Sequence, residues 1–362
     1  MITCPARGTS RYQFVEGVHV HRVDQSRLSS GDFMEWVKQL NTAMFELAGK
    51  LVTASEPFDL VHAHDWLVGD AAERLRYQHR LPVVGTIHAT EYGRNRGIHN
   101  ELQRRIHEQD AKFAREATQV ICCSDYMSRE IKKLFKIPGE KLHVLPNGVD
   151  PANLGIPRKL VPGRRESRAE GKMVFFIGRL VPEKGVQVLL EAFARLLGEI
   201  NDLKLMVGGI GPYEEHLRAK ARELGLAGQV VFLGYLDEKR RNEYLKAVDV
   251  AVFPSLYEPF GIVALEAMAT QVPVIVSDTG GLSEVVAHGI DGFKVPPGRP
   301  DILSYYMREV LVNPGLARDL TRQAWKKVLT IYDWQSIALG TIEVYLRAMA
   351  LYSAGVPGQR AD

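Results

Sequence analysis

Cations, carboxylates and paired glycines stand at the ends of short apolar runs in this chain. Phe175-Phe176-Ile177-Gly178-Arg179 leads through Leu180-Val181-Pro182-Glu183 to Lys184-Gly185, so a buried strand gives way to a loop with two cations before a helix starting near Gly185. Open parallel sheets bind ligands at the carboxyl ends of their strands, which places Arg179 and Lys184 where an anion would sit. Arginine can grip phosphate oxygens bidentately, and lysine acts as a point charge. A solvated loop paired to Glu183 is the plain alternative.

The second constellation is Pro254-Ser255-Leu256-Tyr257-Glu258-Pro259-Phe260-Gly261-Ile262-Val263-Ala264-Leu265-Glu266. A strand ends at Pro254 and Gly261 opens an apolar helix. The free backbone amides of Gly261, Ile262 and Val263 form an anion pocket, helped by a helix dipole worth ~0.3–1 kcal/mol. Glu258 lies before that helix and Glu266 in its second turn. Glutamates at that spacing are common, so their weight comes from flanking a phosphate-ready helix start; a capping or surface role for Glu258 stays open. Ser277-Asp278-Thr279-Gly280-Gly281-Leu282-Ser283-Glu284 follows the next strand. Its paired glycines would let a ligand approach the backbone closely, although an ordinary strand-to-helix turn explains them as well. Gly208-Gly209-Ile210-Gly211-Pro212 lacks the spacing of a dinucleotide fingerprint.

In the first half, His62-Ala63-His64-Asp65-Trp66 and Thr86-Ile87-His88-Ala89-Thr90-Glu91-Tyr92 both close apolar strands, and His88 could bond a sugar hydroxyl. A metal site is disfavoured, because the histidines sit on separate strands with no carboxylate cluster. No Asp-x-Asp is present to hold Mg²⁺ against a diphosphate, so metal-independent chemistry is expected, with side-chain cations neutralising charge.

The elements that must position these residues alternate along the chain. Strands are expected over 17–23, 59–63, 82–87, 119–123 and 142–146, with helices over 32–53, 69–78, 101–115 and 125–135. In the second half strands are expected over 173–178, 203–208, 230–235, 248–254 and 272–277, with helices over 185–197, 212–224, 239–247 and 261–270. Helices over 317–329 and 334–351 close the chain before a frayed last ten residues. Continuous apolar strands imply sheets covered on both faces, and strand–helix alternation makes them parallel and doubly wound. The expected division is a first domain over 1–150, a linker over 151–171, a second domain over 172–330 and a C-terminal segment over 331–362.

At 362 residues the chain has length for two domains. With 46% hydrophobic and 25% charged residues it is globular, which excludes disorder and collagen-like structure. A net charge of +3, from 46 Lys and Arg against 43 Asp and Glu, does not call for nucleic acid or an anionic membrane. Cys4, Cys122 and Cys123 cannot build a disulfide framework and read as reduced thiols, which implies the cytoplasm. No membrane-spanning run or secretory leader is expected.

Together these strings resemble the retaining glycosyltransferases of family 4 and the related glycogen and starch synthases. The resemblance runs from about Phe58 to Tyr352 and is carried by Gly178-Arg179, Glu183-Lys184-Gly185, Glu258-Pro259-Phe260-Gly261 with Glu266, Thr279-Gly280-Gly281 and Tyr332-Asp333-Trp334. His64-Asp65-Trp66 with Thr86-Ile87-His88-Ala89-Thr90-Glu91 looks most like the glycogen-synthase-like branch. It implies an α/β, GT-B-type fold: two Rossmann-like domains facing across a cleft, with a last helix crossing back to the first and closure as a hinge motion. It also implies that Arg179 and Lys184 neutralise a diphosphate, Gly261, Ile262 and Val263 hold phosphate, Glu266 bonds ribose, and Glu258 contacts the donor sugar. Thr279, Gly280 and Gly281 join the donor site, while His88, with His64 and Asp65, serves the sugar from the first domain.

One departure is visible. Such enzymes open with an apolar strand, a Gly-Gly loop and a helix, whereas this chain opens Met1-Ile2-Thr3-Cys4-Pro5 and reaches 17–23 with none of these. A misplaced start, a strand supplied by another chain and a degenerate relative all remain open. The expected activity is metal-independent transfer of a hexose, glucose foremost, from ADP- or UDP-glucose to a sugar or glucan hydroxyl, with no cofactor. The alternative is a catalytically silent nucleotide- or glucan-binding relative acting through a partner. A phosphorylase or epimerase on the same scaffold ranks last. Oligomeric state is left open.

Overall fold

Short apolar runs become strands, and the polar residues between them start helices. A computed structural model describes residues 1–5, 8–28, 31–54, 57–155 and 171–355. Most of the expected linker, and the last seven residues of the expected frayed end, lie outside them. The described residues fall into two units, one of 1–123, 127–145 and 339–355, the other of 124–126 and 146–338.

Unit 1 begins with β1 (Ile2–Thr3), β2 (Tyr12–Val15) and β3 (Val18–Arg22), a sheet in the order β1-β3-β2. Next comes α1 (Phe33–Ala54), whose first turn is capped by Asp32 accepting the Glu35 N–H at 2.8 Å. Leu40, Ala43 and Met44 of α1 pack on Val23 and Ala71. The buried Asn41 on this helix donates to the Val37 and Leu67 carbonyls and accepts the Ala71 N–H, each at 2.8 Å. Satisfied on all three sides, it fixes the rotation of α1.

A separate parallel sheet follows, β4 (Val61–His64), β5 (Val83–Ile87), β6 (Gln119–Cys122) and β7 (Leu142–Val144), side by side in chain order. Its connections carry α2 (Gly69–Gln78), α3 (Glu91–Asn95), α4 (Glu101–Glu116) and α5 (Asp125–Phe135). Among the described residues no strand joins this sheet to the first.

Unit 2 alternates β8 (Lys172–Ile177), α6 (Val186–Leu196), β9 (Leu203–Gly208), α7 (Glu214–Glu223), β10 (Val230–Gly234), α8 (Glu238–Ala247), β11 (Val250–Phe253), α9 (Ile262–Ala269), β12 (Val274–Ser277), α10 (Leu282–Val285) and β13 (Phe293–Val295). Two longer helices, α11 (Pro300–Val312) and α12 (Pro314–Ile331), complete it. The six strands are parallel in the order β10-β9-β8-β11-β12-β13. The winding direction reverses between β8 and β11, and in open α/β sheets ligands bind at such a switch point. The loops after these two strands carry Arg179, Lys184 and Glu258.

Helix α13 (Trp334–Ser353) belongs to unit 1 from Leu339 onward, where Val344 and Ala348 are buried with Val84 and Ile121. No described helix is long and apolar enough to cross a membrane.

The expected helices 69–78 and 125–135 and the strand 203–208 match to the residue. Three differences stand out. Strands expected over 248–254 and 272–277 shorten to β11 and β12: Val248 caps the end of α8, and Pro254 and Pro273 lack the N–H a ladder needs. Strands β1, β2 and β13 and helices α3, α10 and α11 were not anticipated. The structure also extends 317–329 back to Pro314, whose missing N–H costs nothing in a first turn.

Candidate functional site

In unit 2, three loops following β8, β11 and β12 are held together through their backbones. The N–H groups of Leu256 and Tyr257 donate to the Glu183 carbonyl at 2.7 and 3.4 Å. The Gly281 N–H donates to the Glu258 carbonyl at 2.9 Å. Two glycines make this approach possible. A Cβ at Gly185 (φ +71°) would overlap the Pro254 carbonyl oxygen, and one at Gly280 (φ +54°) the Glu258 carbonyl oxygen.

That scaffold brings Lys184 and Glu258 together, with Nζ to Oε2 at 2.6 Å and both side chains largely buried. Ser255 Oγ donates to the same carboxylate oxygen at 3.2 Å. Glu258 is thus neither a helix cap nor a surface group. Burying a charge is costly unless it is paired, and Lys184 supplies the partner. Arg179 is set apart: its side chain is 67% exposed and its nearest carboxylate is Glu183 at 3.7 Å, so most of its donors face solvent. An ion pair this open to solvent contributes little to stability.

Helix α9 starts at Gly261 (φ 105°), and the first N–H groups of a helix, here those of Ile262 and Val263, have no intrahelical acceptor. Thr279 folds back, its N–H on the Ser277 carbonyl at 2.9 Å. Glu266, in the second turn of α9, accepts from Arg241 Nη1 of α8 at 2.9 Å. Burial raises its pKa, and the Arg241 charge opposes that rise.

In unit 1 the ends of β4 and β5 carry three stacked imidazoles. His64 Nδ1 lies 3.0 Å from His88 Nε2, with rings within 11° of parallel, and His62 stacks on His64 at 4.4 Å between centroids. His62 bonds Tyr345 and Thr86 at 2.6 and 2.7 Å. Its pKa is pushed down to about 4, chiefly by burial and then by the neighbouring imidazoles. Burial also lowers the pKa of His64.

Asp65 accepts the His88 N–H at 2.8 Å from a backbone (φ 61°, ψ 166°) in a region essentially confined to glycine. Strain of this sort persists where the surroundings enforce it, commonly at functional sites. Beneath the loop, Asp110 accepts the Glu91 N–H at 2.9 Å, and desolvation raises its pKa to about 7. Among the described residues, no three His, Cys, Asp or Glu side chains converge as metal ligands would.

Sequence reasoning missed Ser255, Arg241 and Asp110. Ser255 lay inside a string already singled out. Arg241 falls in the charged run Glu238-Lys239-Arg240-Arg241, which reads as a solvated face. Asp110 sits in the middle of a polar helix and gives no signal until the fold buries it.

A parallel sheet with a switch point, strand-end loops with an exposed cation and a free helix start, and a last helix returning to the first unit are consistent with a GT-B fold. Residues 2–153 match the family described as Glycosyltransferase Family 4, and residues 160–327 match Glycosyl transferases group 1. An uncharacterized glycosyltransferase of Methanocaldococcus jannaschii is 34% identical over 345 residues, 94% of this chain and 87% of that protein. The glycogen synthase of Mycobacterium tuberculosis is 34% identical over 354 residues, 96% of this chain and 84% of that protein. Among solved structures, sucrose-phosphate synthase from Thermosynechococcus elongatus superposes with a TM-score of 0.82 at 24% identity, covering 97% of this chain and 88% of that one. The chain belongs to the family 4, group 1 glycosyltransferases.

Proposed function

We propose that this glycosyltransferase is retaining and metal-independent, moving glucose from ADP-glucose or UDP-glucose to a sugar or glucan hydroxyl in the manner of a glycogen synthase. The observation carrying this reading is the Lys184–Glu258–Ser255 cluster, on loops that flank the switch point, with Arg179 exposed on the same loop as Lys184. The likeness to a glycogen synthase supports glucose as the transferred sugar.

In this reading the bond between the anomeric carbon and the diphosphate oxygen breaks while the acceptor oxygen forms a new bond on the same face. The acceptor proton passes to the departing phosphate. Arg179, Lys184 and the amides of Gly261, Ile262 and Val263 meet the charge that develops on the diphosphate, each charge-assisted bond contributing ~1.5–3 kcal/mol. An ammonium has three donors, so Lys184 can keep Glu258 and still reach a phosphate oxygen. Glu258 is assigned to the donor sugar, Glu266 to the ribose, and Thr279, Gly280 and Gly281 to the donor backbone contacts. His88, with His64 and Asp65, is assigned to the sugar side. Three cysteines in 362 residues cannot build a disulfide framework, which fits a reducing compartment such as the cytoplasm.

The test is nucleotide release from ADP-glucose and UDP-glucose, with and without a glucan and with no added metal. Glucan-dependent release of one nucleotide, with the new linkage keeping the donor's anomeric configuration, is the expected result. Binding of nucleotide or glucan without any release would favour the silent-relative reading.

A further inference from the structure

The reading above uses Glu266 but gives no role to its partner in unit 2, Arg241. Glu266 is nearly buried, its side chain 12% exposed, and Arg241 is 21% exposed. Arg241 comes from α8 and Glu266 from α9, so the contact is a product of the fold. The guanidinium holds Oε1 at 2.9 Å, while Glu238 on α8 lies 3.7 Å from Arg241 as a second, more exposed carboxylate. Among the described residues no protein donor reaches Oε2 of Glu266. A second contact, Arg241 Nε to Asn242 Oδ1 at 3.2 Å, ties the guanidinium to a buried amide. Arginine stays charged under all ordinary conditions and orients its partners through a rigid fork. Here it has one oxygen of Glu266 in hand and leaves the other as an acceptor.

We infer that Arg241 is a positioning residue: by holding Oε1 of Glu266 it aims Oε2 at the ribose hydroxyls of the donor nucleotide. Burial by itself favours the neutral carboxyl, and of the two charged groups that act on Glu266, Arg241 opposes that tendency while Glu238 adds to it. A neutral Glu266 would present a hydroxyl where an acceptor is needed. The inference rests on the assignment of Glu266 to ribose.

The experiment measures binding of ADP, UDP and their 2′-deoxy forms to the full chain, by calorimetry, in the wild type and in Arg241→Met, Arg241→Lys and Glu266→Gln. The wild type is expected to prefer the ribonucleotide. Arg241→Met should lose on the order of tenfold of that preference, Arg241→Lys should restore part of it, and Glu266→Gln should lose it as well. A merely structural role for Arg241 would weaken ribo and deoxy forms alike. Full preference in both Arg241 variants, with loss in Glu266→Gln, would overturn the inference and leave the ribose assignment standing. Full preference in Glu266→Gln, or no binding of either nucleotide by the wild type, would overturn both. If Arg241→Met does not fold, the lysine variant carries the test: unchanged preference alongside loss in Glu266→Gln rejects the inference, and a partial loss upholds it.

Discussion

Single side chains differ here in how far function can be separated from stability. Arg179 is exposed and loosely paired, so Arg179→Ala should leave the melting temperature unchanged while nucleotide release falls on the order of a hundredfold. Lys184→Ala should cost both, because it removes the charge that pairs the buried Glu258 and leaves it the Ser255 hydroxyl. Equal turnover in the Arg179 variant and the wild type would remove it from the chemistry. In unit 1 the half-buried His62 and the buried Asp110 act on stability with opposite sign. The folded pKa of His62 lies below its ordinary 6.5, so its contribution is present above that value and lost as pH falls toward about 4. The folded pKa of Asp110 is raised from 3.8 to about 7, so its contribution is present at low pH and lost as pH rises through that range. Asp110→Asn should therefore gain stability relative to the wild type on going from about pH 4.5 to about pH 8, and His62→Gln should gain on going from about pH 8 to about pH 4.5. Denaturant melts at both pH values check the two signs.

At the scale of elements, the loops after β8, β11 and β12 are held together by close backbone packing. Gly280→Ala places a Cβ against the Glu258 carbonyl from a positive-φ backbone and should cost on the order of 3 kcal/mol, with loss of nucleotide binding. Gly289→Ala shares a positive φ of 73° but meets nothing within 4 Å, and should cost only about 1 kcal/mol. Equal melting temperatures for the two variants would show that the close packing is unimportant. The paired glycines at 280 and 281 were visible in the sequence, where an ordinary turn explained them equally well. Which neighbour they accommodate was not visible, because Glu258 and Gly280 lie on loops after different strands and meet only once β11 and β12 pair.

At the scale of the whole molecule, the chain leaves unit 1 and returns to it in its last helix. Val344 is buried there against Val84 and Ile121, so Val344→Ala should destabilise the fold by about 2 kcal/mol, read from denaturant melts. An unchanged melt would mean that α13 adds nothing to that core. The sequence by itself determined the parallel α/β class, most of the order of strands and helices, and the strings at strand ends. Those are local properties: continuous apolar runs of strand length, helical spacing between them, and glycine, proline and charge where each run stops. It also marked Arg179, Lys184, Glu258 and Glu266 as candidates. What only the tertiary structure decided is which charges meet. Lys184 pairs with Glu258 while Arg179 does not, Glu266 pairs with Arg241, and His62 reaches Tyr345 across most of the chain length. Such pairings join residues far apart in sequence, and burial, which decides whether a charge needs a partner, exists only once the sheet and its helices have packed.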